Sequence, residues 1–131
     1  SKNRLFSLNK KPSPEMLEIF NNLFFSVAEQ MGVVLKNTAQ SINIKERMDF
    51  SCALFNKNGE LVANAPHIPI HLGAMSDTIK FLIREHFDIF KKGMSVLHNN
   101  PFSGGTHLPD LTVVTPFLAS IETVNAVLCL L

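Results

Sequence analysis

Neither tryptophan nor tyrosine occurs in this chain of 131 residues, so its aromatic content is phenylalanine alone, 11 in number. Cysteine is scarce: Cys52 and Cys129 are the only two, each in an apolar, strand-like run. That pattern excludes a disulfide framework and reads as small buried hydrophobes in a reducing, cytoplasmic setting. Charge of either sign is in short supply as an excess, with 12 Lys and Arg against 11 Asp and Glu and a formal net charge of +1. No field therefore draws the chain to nucleic acid or to a membrane surface. Long hydrophobic runs are missing too: none approaches the roughly 20 residues of a membrane span. The opening Ser1-Lys2-Asn3-Arg4 is not followed by the apolar run of a signal peptide. No phosphate-binding glycine signature of the P-loop kind appears, so nothing argues that these residues bind ATP themselves. Repeats and low-complexity tracts are absent.

What is present is 46% hydrophobic and 18% charged, a globular composition, and its length suits one domain with a buried core. The chain is organised around Asn99-Asn100-Pro101-Phe102-Ser103-Gly104-Gly105-Thr106-His107-Leu108-Pro109-Asp110. So many turn formers mark an ordered loop, and strand-like sequence flanks it at 94–97 and 111–117. Two side chains in it can hold a metal or move a proton, His107 and Asp110. Presenting polar chemistry on a tight loop between strands is a common way for a rigid scaffold to build a site. Spacing alone leaves a second possibility open, a structural turn in which both bond local backbone. Three residues of extended chain span about 10 Å, so the two converge on one ion only if the backbone turns at Leu108-Pro109. Gly104 and Gly105 permit positive φ and a close approach to ion or substrate.

In chain order, residues 1–12 are polar and basic and read as a lead-in. Ser13-Pro14-Glu15 starts a helix with a hydroxyl cap, a first-position proline and an acid in the first turn. Met16, Phe20, Leu23, Val27 and Met31 then recur at helical spacing, widened by Ile19, Phe24 and Leu35, which predicts an amphipathic helix over 14–37 with this stripe as core. Gly32 within it implies close packing or an early end. Strand-like runs at 50–55 and 60–65 enclose Asn56-Lys57-Asn58-Gly59, a hairpin signal. Prolines on both sides of Ile68 make 66–73 an extended connection. A second helical stripe covers 74–92, ending at Lys91-Lys92-Gly93. Further strands are expected over 94–98, 111–117 and 124–131. Because the last run is apolar to the end, a chain cut mid-strand is expected, with a sheet edge prone to association. The fold class is thus α+β, two amphipathic helices packed on a mixed or antiparallel sheet that is truncated at its C-terminal edge.

His67 and His71 face one side of an extended chain about 13 Å apart, too far to share one ion. Lys45 and Arg47, with Glu46 and Asp49, could hold an anionic substrate group or form a solvated ion-pair patch. His86 and His98 have no partner that the sequence identifies.

Three blocks carry a family resemblance: Ser41-Ile42-Asn43-Ile44-Lys45-Glu46-Arg47-Met48-Asp49-Phe50-Ser51-Cys52-Ala53-Leu54-Phe55, Ala65-Pro66-His67-Ile68-Pro69-Ile70-His71-Leu72-Gly73-Ala74-Met75, and Gly104-Gly105-Thr106-His107-Leu108-Pro109-Asp110. They resemble, in the family's order, the start of the hydantoinase B family, and within it the C-terminal half of the ATP-dependent 5-oxoprolinases. The resemblance runs over about 15–117 and makes 13–131 the N-terminal part of a hydantoinase B-like domain. It implies hydrolysis of a small-molecule cyclic amide, the lactam of 5-oxo-L-proline, to L-glutamate. Relatives open N-methylhydantoins or carboxylate ketones; a truncated product acting only as an interaction module is a further alternative. It also implies that His107 and Asp110 ligate a divalent metal (Zn, Mn or Fe), completed by a histidine further along. Gly104, Gly105, Thr106, Lys45, Arg47, His67 and His71 become candidates for binding substrate or shaping the loop. ATP with Mg is then expected on a hydantoinase A-like half or subunit, in an oligomer. The family often has Asp or His at the position of Asn100, and Asn is a poorer ligand and cannot act as a base.

Overall fold

The computed structural model describes residues 11–65, 72–91, 93–104, 109–118 and 123–130. The chain forms α1 (Pro14–Thr38), a short α2 (Ile42–Lys45), β1 (Phe50–Asn56), β2 (Leu61–Asn64), α3 (Leu72–Glu85), β3 (Val96–His98), β4 (Leu111–Leu118) and β5 (Thr123–Leu130). Single 3-10 turns lie at Phe87–Ile89 and Pro101–Ser103. All strand pairs are antiparallel, in one sheet of order β2-β1-β5-β4-β3. This is the α+β arrangement expected, with one difference in strand order. β5 does not lie at an edge: it pairs with β1 from Phe50↔Leu130 to Asn56↔Val124 and with β4 from Leu111↔Leu130 to Leu118↔Thr123. Its nearly continuous apolar sequence suits an inner strand. The edges are β2 and β3, so association through an exposed edge of 124–131 is not expected.

Local chemistry explains the element boundaries. The Ser13 hydroxyl accepts the Met16 N–H at 3.2 Å at the start of α1. Asn56 closes the β1–β2 turn: its Oδ1 accepts the N–H groups of Asn58 at 2.9 Å and Glu60 at 3.0 Å, while Gly59 takes φ +76°. The Ser76 hydroxyl donates to the Gly59 carbonyl at 3.0 Å, tying this hairpin to α3. That helix ends at Glu85 rather than near residue 92. The turn tightens, with the Ile89 N–H reaching the His86 carbonyl at 3.1 Å, and this lets Ile89 and Phe90 pack back against the core. The four residues of α2 escape a periodicity search because they make barely one turn, yet Ile44 within them is buried.

Strand alternation sorts β1 onto two clusters. Phe50 and Cys52 join Ala28, Ile44 and Ala65 under α1, with Met31 and Leu35 against them. Ala53 and Phe55 join Met75, Ile79, Leu82 and Val114 under α3. The two long helices therefore lie on opposite faces of the sheet. Small residues, Ala28 and Gly32, let α1 press close to its face, where both are buried. Only part of its predicted stripe reaches the core: Met16, Ile19, Phe20, Leu23 and Val27 remain about half exposed. At a rise of 1.5 Å per residue the helix is about 37 Å long, and it packs chiefly on β1 and β2 near its C-terminal half.

Truncating Phe55, which is fully buried, should cost about 3–5 kcal/mol. The same change at Phe117, 62% exposed, should stay within about 0.5 kcal/mol. Urea denaturation of the two alanine variants measures the difference, and equal losses would contradict the two-cluster core.

Candidate functional site

The loop after β3 is built by its own side chains. Asn100 Oδ1 accepts the Phe102 N–H at 2.9 Å, and Asn100 Nδ2 donates to Ser103 Oγ at 3.1 Å. Pro101 supplies a preset φ at the first position of the turn. Asn100 is thus the cap of this turn, which gives its amide a role that needs no acid–base chemistry. Gly104 follows with φ +93° and lies against α3. A Cβ on it would stand 2.6 Å from the Asp77 carbonyl carbon and 2.9 Å from Thr78 Cα, and closer still to the Thr78 nitrogen. Conformation and space both require glycine here, and the contact fixes the first half of the loop to the middle of α3.

Of the candidates named from sequence, Gly105, Thr106, His107, His67 and His71 lie outside the described residues. Asp110, at the far end of the loop, is only 4% exposed. The β3–β4 ladder runs from Val96↔Val114 to His98↔Thr112. β4 therefore enters the sheet beside the point where β3 leaves it, which brings Asp110 next to the loop's first residues. Thr112, one place into the strand, is buried as well. Lys45 and Arg47 are exposed at the end of α2. Ile44 of that helix packs in the α1 cluster, whereas Gly104 packs on α3 on the other face, so the fold does not bring the two groups together.

His86 and His98 do acquire a common neighbour. The Phe81 ring centroid lies 5.7 Å from that of His86 and 6.1 Å from that of His98. His98 Nδ1 is buried and has no hydrogen-bond partner among the described residues. Burial first, and then the charge of His86, holds the His98 imidazole below its ordinary value. The unfolded chain then binds this proton more readily than the folded one. The stability tied to neutral His98 is intact above its unfolded pKa of about 6.5 and is lost as pH falls through the lowered folded value. The melting temperature should fall as pH drops below about 6.5, and His98→Gln should flatten that decline. An identical pH profile in the variant would contradict the assignment.

Two recesses adjoin these elements. A cleft of about 310 Å³ lies between α3 and the loop, lined by Asp77, Lys80, Phe81 and Arg84 of the helix and by Phe102, Ser103 and Gly104 of the loop. A groove of about 540 Å³ between α1 and β4, lined by Val27, Met31, Val34, Leu35 and Val113 among others, carries no titratable side chain. The cleft has the chemistry of a site and the groove that of a packing surface. Among the described residues, no three His, Cys, Asp or Glu side chains converge as a metal site. The donor set in view is the buried carboxylate of Asp110, which is not by itself a metal centre.

Comparison with known proteins extends this geometry. The solved structure of acetone carboxylase, a nucleotide-free form studied for ATP-dependent acetone carboxylation, superposes with a TM-score of 0.78 at 19% identity. That match covers 88% of this chain and 16% of the other. The ATP-dependent caprolactamase of Pseudomonas jessenii superposes with a TM-score of 0.74 at 26% identity, over 92% of this chain and 21% of that one. The 5-oxoprolinase 1 of Arabidopsis thaliana is 54% identical over 100 residues, 76% of this chain. The chain spans about 8% of the length of that relative. Residues 13–130 match the family described as hydantoinase B/oxoprolinase, and the chain belongs to that family.

Proposed function

We propose that these residues form part of an ATP-dependent hydrolase that opens the lactam of 5-oxo-L-proline to L-glutamate. The observation that carries this reading is the gradient of identity, 54% to a 5-oxoprolinase against 26% to a caprolactamase and 19% to an acetone carboxylase. The reaction breaks the ring C–N bond, adds water oxygen to the carbonyl carbon and leaves a proton on the nitrogen. ATP with Mg would be bound by a hydantoinase A-like half or subunit. The half-exposed apolar stripe of α1 supports packing against further polypeptide, as such a partner or an oligomer would require.

Within this chain the loop 99–110 is the centre of the proposal. Gly104 anchors it, Gly105 and Thr106 are candidates for shaping it, and His107 and Asp110 are its candidate ligands for a divalent metal, Zn, Mn or Fe. The burial of Asp110 supports that role, and an ion bound there would polarise a carbonyl oxygen. Lys45, Arg47, His67 and His71 stand as further candidates for substrate contact. A cytoplasmic location belongs to the same proposal; among the described residues, no helix is long and apolar enough to cross a membrane.

The test is L-glutamate release from 5-oxo-L-proline, with ATP and Mg²⁺, by an enzyme carrying this segment. Release coupled to ATP consumption, with hydantoin and caprolactam poorer substrates, is expected. Faster turnover of either competitor would redirect the reading to that chemistry. The 131 residues alone should release no glutamate, having no recognisable nucleotide site.

A further inference from the structure

We infer that the cleft between α3 and the loop is the subsite for the carboxylate of the substrate; this rests on the 5-oxo-L-proline reading above. Lys80 and Arg84 are one turn apart on α3 and so share a face, and both line the cleft. The Lys80 stem runs across Gly59, where a Cβ would come within 2.7 Å of Lys80 Cγ. That packing, together with the Ser76–Gly59 bond, holds the start of the side chain in place. Arg84 Nε donates to Glu85 Oε1 at 2.6 Å, a bond that does not involve the two terminal nitrogens of the guanidinium fork.

Opposite these cations stands Phe102, 96% exposed yet fixed on the turn that Asn100 caps and Gly104 anchors. The turn fixes the backbone that carries this exposed ring, which offers an apolar surface to a small ligand. Ser103 adds a hydroxyl, and Asp77 adds an acceptor suited to an amide N–H, so the lining, with Phe81 of α3, offers two cations, one anion and two rings. About 310 Å³ lies at the lower end of ligand pockets, roughly 300–1,000 Å³, which suits a single five-membered ring better than a nucleotide. Of the substrates in question, only 5-oxo-L-proline bears a carboxylate; hydantoin, caprolactam and acetone do not. Lys80 and Arg84 would therefore be specificity-determining residues.

The experiment compares Lys80→Met and Arg84→Met with the parent in an active enzyme carrying this chain. Both side chains are exposed, so folding should be unaffected, with circular dichroism as the check. KM for 5-oxo-L-proline should rise about tenfold or more in each, the usual loss of a hydrogen bond to a charged group, with kcat little changed. KM for 2-pyrrolidinone, the same ring without the carboxylate, should not move, nor should KM for ATP or inhibition by inorganic phosphate. An unchanged KM for 5-oxo-L-proline overturns the subsite and leaves the function standing. An equal rise for 2-pyrrolidinone overturns it as well, and a shift confined to ATP or phosphate makes the cleft a phosphoryl site instead. If the parent does not open 5-oxo-L-proline, calorimetric titration judges the subsite separately. Binding of 5-oxo-L-proline that weakens about tenfold in the double variant upholds it, and no binding overturns it.

Discussion

Gly104→Ala should cost the protein about 2–5 kcal/mol, the sum of a left-handed residue with a side chain and an overpacked contact. The contact is with the backbone of Asp77 and Thr78, so no rotamer change can relieve it, and the loop must leave α3. Gly93 is the control. It also has positive φ, +83°, but a Cβ there meets nothing within 4 Å. Gly93→Ala should therefore lose only the conformational part, about 1–2 kcal/mol. Urea denaturation of the two variants measures the gap. Equal losses would mean that the loop is not pressed on the helix and that the cleft between them is not a fixed recess.

The second large effect concerns His107 and Asp110 in an enzyme carrying this chain. If both hold one ion, their losses cannot add, because removing either empties the same site. His107→Ala, Asp110→Asn and the double variant should each abolish turnover, and the double should be no worse than either single. Asn is chosen at position 110 because the side chain is buried, and the amide keeps its volume. A purely structural turn predicts otherwise: each change would remove a side-chain bond worth about 1 kcal/mol, lowering the melting temperature by a few degrees and leaving turnover in place.

Much of this fold was legible where local chemistry decides it. Ser13-Pro14-Glu15 announces α1, and Asn58-Gly59 announces the β1–β2 hairpin, because caps and turns are set by neighbours in sequence. Strand order is not. β5 sits between β1 and β4, and no residue in 123–130 states which strands will flank it. The stripe of α1 misled for a related reason: periodicity shows that Phe20 and Leu23 share a face but not how far the sheet extends beneath it. Helix α3 stops early because a tighter turn returns Ile89 and Phe90 to the core, a tertiary gain that overrides the run of helical spacing.

The candidate site divides along the same line. The turn residues from Asn100 to Gly104 could be read as an ordered loop, and the positive φ of Gly104 follows from its type. Lys80 and Arg84 could not be joined to that loop, since some twenty residues separate them in sequence and only the packing of Gly104 on Thr78 makes them neighbours. His98 escaped for the same reason, because its burial and its contact with Phe81 arise from the β3–β4 pairing and from α3.

The central claim is that the loop 99–110 carries a metal site at His107 and Asp110. Elemental analysis of the purified enzyme, parent against His107→Ala and Asp110→Asn, tests it most directly. The account predicts a stoichiometric divalent metal in the parent and its loss from both variants, with helix content unchanged. Parent-like metal content in either variant would contradict it.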